Sequence, residues 1–165
     1  MIRENDFLSE VSLLVAKLMA SSAKTAPKAK GVDNITAVIL SKKEELEKLA
    51  EKMEELASKY GKFYARDSKN IMNSDAVVIL GCKIVKLNLK QPEIWRENID
   101  TVASILNLGI ALGSAAKTAS IHNVDNRIML SAGVAAQELG IIDADIAIAI
   151  PLSIKGKNIF FDRKY

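Results

Sequence analysis

Three short, almost wholly apolar runs constrain the fold most strongly, because each has the length of one β-strand. They cover residues 35–40, 76–80 and 146–150, and Pro151 follows the last of them. Continuous apolar runs of this length, bounded by turn residues, are typical of strands that are buried on both faces. The stretches between them are longer and mostly follow helical periodicity. We therefore predict an α+β protein in which helices pack around a small mixed sheet.

Periodicity and end signals place the first two helices. Ser41 followed by Glu44 is a capping-box pattern that predicts the start of the second helix, and Gly61 is well placed to end it. The first helix is expected near residues 6–22, and its repeating apolar residues are Phe7, Val11, Leu14 and Leu18.

The later elements are predicted from weaker patterns. Residues 63–65 are expected to form a short strand, followed by a brief helix that ends near Ile71. Residues 82–98 mix apolar and charged positions around Pro92, and we expect a mobile loop with a short helix there. Residues 99–139 are helical in pattern, with a predicted break at residues 122–125.

Charge and composition disfavour several functional classes. The 165 residues suit one domain, and 23 basic residues interspersed with 20 acidic ones give a net charge of only +3, which disfavours nucleic-acid binding. The charged start MIRENDFLSE does not resemble a secretion signal, and the uncharged run at residues 101–116 is too short to span a bilayer. We expect a cytoplasmic protein without membrane contact. Abundant Lys, Glu and Ile suggest a thermophilic source.

Small residues line two of the predicted helices. Gly109, Gly113, Ala116 and Ser120 share one helix face, and a second helix contains Ala132, Gly133, Ala135 and Ala136. Glycine inside a helix costs roughly 1 kcal/mol relative to alanine. Such a face allows tight helix packing, within one chain or across a dimer, or it forms a wall against a flat cofactor.

Long motifs resemble a known prokaryotic family. They are ASSAKTAPKAKGVDNI, FYARDSKNIMNSDAVVILG, NLGIALGSAAKTASIHNVDNRIMLSAGVAAQELG and IAIPLSIKGKNIFFDR. These segments resemble the uncharacterised ferredoxin domain-containing proteins over nearly the whole chain apart from residues 83–106. The resemblance implies one domain, residues 1–165, with a variable insertion at about residues 82–104.

The ferredoxin feature itself is missing from this chain. In that family a cysteine-rich insertion lies between the regions of Gly81 and Gly109, whereas this stretch contains no cysteine after Cys82. Conventional clusters need four thiolates, so we expect no iron–sulfur cluster. The lone Cys82 is interpreted as a small buried apolar residue. With one His and one Cys in the chain, we also expect no zinc site.

A looser likeness connects the chain to FMN-dependent nitroreductases. The segment from Thr25 through Pro27 to Asn34 resembles their Ala-Pro-Ser loop and following strand, with Lys28 where Ser is usual. The ending AAQELGIIDADIAIAIPLSIKGK resembles their last helix and strand. Their Arg-Ser-x-Arg phosphate signature is absent. The resemblance implies a nitroreductase-like homodimer that binds FMN and passes electrons or hydride to a small-molecule acceptor.

The same resemblance implies which residues would meet the flavin. Cations in two loops would converge on the phosphate, while Asn34 and Ser114 would bond to the ring edge. The phosphate candidates are Lys24, Thr25 and Lys28 in the first loop and Lys155, Lys157 and Arg163 near the C-terminus.

A polar cluster and an aromatic tail complete the candidates. His122 could act as an acid–base group oriented by Asp125, although polar residues between helices more often cap helix ends and hold turns. Phe160 and Phe161 suggest a tail that docks on the partner of a homodimer, since two exposed rings would be unfavourable. The alternative to a flavoprotein is a cofactor-free interaction or scaffold protein that has lost its cluster.

Overall fold

The computed structural model of the chain describes residues 1–161, apart from the side chains of residues 5 and 6. Its strands are separated by helices, as the apolar runs predict. In chain order they are α1 (Glu4–Thr25), β1 (Ile35–Leu40), α2 (Lys43–Tyr60), α3 (Phe63–Met72), β2 (Ala76–Cys82), α4 (Ile99–Ile121), β3 (Asp125–Asn126), α5 (Leu130–Glu138) and β4 (Ile146–Ser153).

The strands form one sheet in the order β1-β2-β4-β3, and every pairing is antiparallel. The prediction of a mixed sheet is wrong. A single crossover helix returns the chain to the opposite end of the sheet and gives parallel strands. Here α2 and α3 carry the chain out and back, so β2 starts beside the end of β1, with Leu40 opposite Val77.

Helices cover both faces of the sheet, and the α+β architecture is confirmed. The β2 strand is buried along its whole length. Its side chains alternate, with Val78 and Leu80 facing the layer of α1 and α4, and Val77 and Ile79 facing the layer of α2, α3 and α5. A strand enclosed in this way must be apolar at consecutive positions. The apolar run at residues 76–80 could therefore be recognised as a strand from the sequence.

The start of α2 differs from the predicted capping box by one residue. The Glu45 carboxylate, rather than that of Glu44, accepts hydrogen bonds from the backbone N–H groups of Ser41 (3.0 Å) and Lys42 (3.1 Å). These bonds lower the pKa of Glu45, with the Lys42 N–H contributing most. Because the helix begins at Lys43, Glu45 is the residue that can reach back to both N–H groups.

The predicted strand at residues 63–65 is wrong, because this segment is the first turn of α3. Tyr64, Asp67, Ser68 and Ile71 are buried, and their three- and four-residue spacing is helical. Phe63 stays largely exposed, although its ring packs 4.7 Å from that of Tyr64, centroid to centroid. The buried face of this segment is set by the residues that follow, which continue the helical spacing.

The first helix is confirmed, but its apolar stripe points outward. The residues of α1 that are buried in the core are Ser12, Val15, Ala16, Met19 and Ala23. The stripe that predicted the helix, formed by Phe7, Val11, Leu14 and Leu18, is exposed. We call these four residues the α1 stripe.

The segment at residues 83–98, all of it described, contains neither helix nor strand. The predicted short helix is therefore wrong. Side chains of α4 hold the segment instead: Ser104 Oγ accepts from Val85 N–H (3.2 Å) and Asp100 Oδ1 accepts from Leu87 N–H (2.9 Å). These bonds from outside hold the first part of the segment without regular structure of its own.

The 23-residue helix α4 is, within the described residues, the one helix long and apolar enough to cross a membrane by length and composition. The core helix of a globular protein passes the same test. One face of α4 is buried against α1 and the sheet through residues such as Leu108, Ala111 and Ala115.

Candidate functional site

Most of the residues predicted to bind a cofactor lie at opposite ends of the sheet. Asn34 precedes β1 beside the end of β2, where Lys83 N–H donates to Asn34 O (3.0 Å); we call this the Asn34 end. Lys155 and Lys157 follow β4, at what we call the Ser153 end. Strand β4 has eight residues, so the ends are about 23 Å apart. Within one chain, the two lysine loops do not converge as expected.

At the Asn34 end, Lys28 caps the C-terminus of α1. Its side chain is only 5% exposed, and its ammonium group donates to the carbonyl oxygens of Lys24 (2.6 Å), Ala26 (2.9 Å) and Ala23 (3.3 Å). A cation is favourable where helix carbonyls lack partners. The donors of Lys28 are therefore engaged within the chain and do not point toward an external phosphate.

Lys24 and Thr25 are also held locally. The Lys24 ammonium pairs with the carboxylate of Asp33, and this hydrogen bond is the main cause of the lowered pKa of Asp33. The Thr25 hydroxyl donates back to the carbonyl oxygens of Ser21 and Ser22 (both 3.3 Å). Lys24 remains largely exposed, so of these residues it is the one best placed to meet a ligand.

Asn34 belongs to a buried amide network. Its Nδ2 donates to Lys83 O (2.8 Å), and its Oδ1 accepts from Asn107 Nδ2 (2.9 Å). Asn107 Oδ1 in turn accepts from Ala29 N–H (2.8 Å). The hydrogen bonds of both amide groups fix the 26–34 loop against α4. Asn107 was not predicted, although a lone amide on an apolar helix face is a signal for such a buried bond.

Ser114 connects the two helices of its layer. Its hydroxyl donates to Ser22 O (3.2 Å), while Thr118 Oγ1 donates to Ser22 Oγ (2.9 Å). Ser114 therefore lies between the two ends of the sheet, and its hydroxyl fixes α1 against α4 instead of facing a ligand at either end.

The Ser153 end contains a polar groove of about 390 Å³. It lies where β3 pairs with β4, with Asp125 opposite Ser153. The groove is lined by Ser120, Asn123, Val124, Asp125, Asn126 and Asn158. The polar cluster that contains His122 and Asp125 predicted part of this set, whereas Ser120 and Asn158 were not among the predicted site residues.

Cations lie on the loop next to the groove. Lys155 Nζ contacts Asn73 O and lies 3.8 Å from Asp75 Oδ1, and its side chain is 41% exposed. Lys157 is exposed and precedes Asn158 of the groove. Arg163 lies outside the described residues. The Ser153 end thus combines amide groups, a hydroxyl, cations and the carboxylates of Asp75 and Asp125.

His122 caps α4 and is not paired with Asp125. Its backbone N–H bonds to Ala119 O (3.1 Å) and Thr118 O (3.3 Å), and its side chain is exposed at the Ser153 end. No hydrogen bond in the described part of the chain joins its ring to Asp125. The following Asn123 has a φ of +55°, a left-handed conformation typical of a turn. The cluster therefore builds a turn, as the structural interpretation anticipated.

The aromatic tail docks on its own chain. Phe160 is only 3% exposed, and its carbonyl oxygen accepts from Arg127 Nη1 (3.1 Å). Phe161 is 60% exposed, with the Arg127 guanidinium 5.6 Å from its ring centroid. The expectation that both rings need a partner chain is wrong for Phe160. Arg127 therefore holds this tail against the chain.

The two glycine-rich helices serve different purposes. A Cβ added at Gly133 of α5 would lie 2.1 Å from Ala147 O, so this glycine lets the helix touch strand β4. A Cβ at Gly109 or Gly113 of α4 would meet nothing within 4 Å. Tight packing inside the chain explains the α5 glycine but not those of α4.

Cys82 is a buried residue without metal-site partners. Burial, followed by the charge of Asp145, raises the pKa of its thiol. The described residues include no group of three or more His, Cys, Asp or Glu side chains that could hold a metal ion.

We expect the Cys82 thiol of the folded protein to resist alkylation. Only the thiolate reacts, and both burial and a raised pKa suppress it. Iodoacetamide labelling at pH 8, followed by mass measurement, should therefore be slow in buffer and rapid in urea. Equal labelling rates in both conditions would show that the thiol is accessible in the fold.

Comparison with known proteins gives one long sequence match and one family match. An uncharacterized protein of Archaeoglobus fulgidus is 39% identical over 180 residues, covering 99% of this chain and 97% of the relative. Residues 99–163 match the family model described as "Uncharacterized protein containing a ferredoxin domain". The identity and coverage are high enough to establish family membership.

Solved structures share the fold at low sequence identity. A nitroreductase with bound FMN from Desulfitobacterium hafniense has a TM-score of 0.62 and 12% identity, covering 87% of this chain and 78% of that one. A BluB-like flavoprotein from Clostridium difficile has a TM-score of 0.60 and 15% identity, covering 92% and 84%. A nitroreductase family protein from Clostridium novyi has a TM-score of 0.59 and 12% identity, covering 85% and 73%.

These likenesses agree with the architecture built up above from the residues. The fold is that of nitroreductases, as predicted, although its sheet is antiparallel throughout. The chain belongs to the family of uncharacterized proteins described as containing a ferredoxin domain, and it has a nitroreductase-like fold.

Proposed function

We propose that the chain binds FMN and acts as an oxidoreductase that passes electrons to a small-molecule acceptor. The observation that carries this proposal is the fold, which 87% of the chain shares with a nitroreductase that holds FMN. The likeness concerns the fold, so the residues of this chain decide how well a flavin suits it.

The Ser153 end fits the polar part of FMN. A phosphate favours several charge-assisted hydrogen bonds, which Lys155 and Lys157 can supply from one short loop. The amides of Asn123, Asn126 and Asn158 line the adjoining groove and can bond to hydroxyl or carbonyl groups. Lys155 would exchange its contact with Asn73 O for the phosphate. We place the phosphate at this end.

The Asn34 end fits FMN less well within the same chain. Lys28, Asn34 and Ser114 already use their polar atoms inside the fold. Lys24 is the exposed cation there, about one strand length from Lys155. A second copy of the chain would be needed to bring the two ends to one ligand.

When bound, FMN would supply the electron and hydride chemistry. The part of this chain would be to hold the phosphate, orient the flavin with groove amides, and exchange protons with solvent. His122, exposed beside the groove residue Asn123, is our candidate for proton exchange.

Charge reversal at Lys155 and Lys157 tests the placement of the phosphate. We expect Lys155→Glu and Lys157→Glu each to raise the Kd for FMN at least about tenfold, since a charge-assisted hydrogen bond contributes about 1.5–3 kcal/mol. Fluorescence titration of FMN measures this. Lys48→Glu on the exposed face of α2 makes the same charge change elsewhere and should leave the Kd unchanged. Equal Kd values for all three variants would show that the phosphate does not bind to this loop.

The second candidate is a cofactor-free interaction or scaffold protein. It is favoured by a specific observation, namely that Lys28, Asn34 and Ser114 serve the fold itself. The two functions differ in one simple property, because a scaffold would retain no flavin after reconstitution.

A further inference from the structure

The turn between α2 and α3 exposes aromatic rings and basic side chains together. Tyr60 is 42% exposed and Phe63 is 41% exposed. Each of their rings contacts the ring of Tyr64, at centroid distances of 5.6 Å and 4.7 Å. Tyr64 is only 2% exposed, so it supports the two outer rings from the core. Two flat rings are therefore held at the surface.

Gly61 keeps part of the Phe63 ring uncovered. A Cβ atom added at Gly61 would lie 3.4 Å from both Cδ1 and Cε1 of Phe63. A side chain at this position would therefore cover part of the ring. The φ of +118° at Gly61 favours glycine for a separate reason, since other residues rarely adopt it. The turn that joins the two helices thus leaves ring surface open to a flat ligand.

Basic residues lie on the same surface as these rings. Lys62 directly precedes α3, and Arg66 and Lys69 follow it at intervals of four and three residues. This spacing places all three side chains on one helix face, and the row of exposed residues continues through Phe63. The distance from Lys62 to Lys69 is about 10 Å along the helix.

The ammonium groups of Lys62 and Lys69 are available to a ligand. Both residues are exposed, and no hydrogen bond or ion pair among the described residues engages either ammonium group. They differ in this respect from Lys28, whose ammonium group donates to three carbonyl oxygens of its own chain.

The other two cations are partly engaged. Arg66 donates from Nε (2.9 Å) and Nη2 (2.8 Å) to the carboxylate of Asp67, but its side chain remains 52% exposed. Lys59 Nζ lies 3.9 Å from Glu138 Oε1 and 4.8 Å from the centroid of the Tyr60 ring. Arg66 can therefore add to the charge of the α3 face, whereas Lys59 contributes less.

The excess of basic residues in the chain falls in this segment. Residues 59–69 contain four basic residues and one acidic residue, the buried Asp67. The rest of the chain contains 19 basic and 19 acidic residues. The net charge of +3 is small for the whole molecule, but it forms a local excess on this surface. The expectation that the chain does not bind nucleic acid rested on the total charge alone.

A single strand of nucleic acid fits this combination of groups. Its phosphates pair with cations, and its unpaired bases can stack on exposed aromatic rings. The distance from Lys62 to Lys69 equals about three nucleotides of a stacked strand. An acidic protein surface would use the cations, but it does not require uncovered ring faces. The rings therefore favour nucleic acid over a protein partner.

We propose that the surface formed by Tyr60, Lys62, Phe63, Arg66 and Lys69 binds single-stranded nucleic acid. The cations of α3 contact the phosphates, and the two rings stack with bases.

This surface is separate from the groove that we propose for FMN. Lys59 lies beside Glu138, at the end of α5 that leads into the start of β4. The start of β4 pairs with Cys82 at the Asn34 end of the sheet, whereas the groove lies at the Ser153 end. Binding of nucleic acid does not depend on flavin binding.

Fluorescence anisotropy of a labelled oligothymidine and a labelled oligouridine, each titrated with the full chain at low ionic strength, tests the proposal. We expect saturable binding that weakens as salt increases. Lys62→Gln and Lys69→Gln should each reduce the slope of log K against log salt by about 0.7. Lys17→Gln removes an exposed charge from α1 and should leave the slope unchanged. Tighter binding of either oligonucleotide supports the proposal and identifies the preferred sugar.

Variants of the ring separate stacking from charge. Phe63→Ala should raise the Kd at least about fivefold, which corresponds to the loss of one base stacked on a ring. Phe63→Leu keeps an apolar contact with Tyr64 and should also weaken binding, because leucine has no flat face. Phe7→Ala removes a ring of similar exposure (39%) from the α1 stripe and should leave the Kd unchanged. Circular dichroism would confirm that the variants fold.

Two results would overturn the proposal. One is the absence of binding to both oligonucleotides at low ionic strength. The other is binding that depends on Lys62 and Lys69, is unchanged in both Phe63 variants and is displaced equally well by inorganic polyphosphate. The surface would then attract any polyanion, an acidic protein included. A chain that binds the oligonucleotides but retains no FMN would contradict only the proposed function.

Discussion

Gly133→Ala is expected to destabilise the fold by about 3 kcal/mol or more. The added methyl group would lie 2.1 Å from Ala147 O and 2.6 Å from Ile148 Cα, both backbone atoms of β4. Backbone cannot rotate away as a side chain can, so α5 would have to move off the sheet. That movement would also strain the two bonds by which Gln137 joins α5 to the start of β4.

Urea unfolding followed by circular dichroism measures the effect of Gly133→Ala. Gly156→Ala is the matched control, since its added methyl meets nothing within 4 Å, and its midpoint should stay near that of wild type. An unchanged midpoint for Gly133→Ala would mean that α5 does not approach β4 so closely.

We expect Asn107→Ala to lower the free energy of unfolding by about 2–4 kcal/mol. The substitution leaves Asn34 Oδ1 without its amide donor and Ala29 N–H without an acceptor, and each unsatisfied buried group costs about 1–3 kcal/mol. Asn107 is only 2% exposed, so water cannot easily replace the lost bonds. In addition to the lower overall stability, we expect faster hydrogen exchange in the 26–34 loop.

Chemical unfolding combined with hydrogen exchange measures both parts of the Asn107→Ala prediction. The control is Asn73→Ala, which removes an exposed amide that bonds only to Lys69 O, and it should change stability by less than about 0.5 kcal/mol. If Asn107→Ala and Asn73→Ala behaved alike, the buried amide network would not be what holds the loop.

Much of the fold was readable from the sequence because β2 and most of β4 are enclosed on both faces, whereas β1, expected to be buried as well, lies at the edge of the sheet and has exposed positions. Val77, Val78 and Ile79 point alternately to two helical layers, and only apolar residues suit both. The antiparallel order was not readable, because it depends on how two helices return the chain, which periodicity does not encode. The helical turn at Phe63 and Tyr64 was not readable for a similar reason, since it is set by the later residues of α3.

The candidate site was less predictable, because residue type does not reveal where a side chain is used. Lys28 is of a residue type that often binds phosphate, yet its ammonium group donates to carbonyl oxygens at the C-terminal end of α1. Gly113 and Gly133 look alike in sequence, whereas one opens onto solvent and the other touches backbone. Periodicity in α1 predicted a helix correctly but did not reveal that its apolar stripe is exposed rather than part of the core.

The most direct test of the flavoprotein account is the visible spectrum of the purified protein after incubation with FMN and removal of excess ligand. We predict retained flavin absorbance approaching one FMN per chain, and a melting temperature that rises with FMN concentration as ligand binding requires. A colourless protein whose melting temperature does not change at high FMN concentration would contradict the account. That result would favour the cofactor-free scaffold function instead.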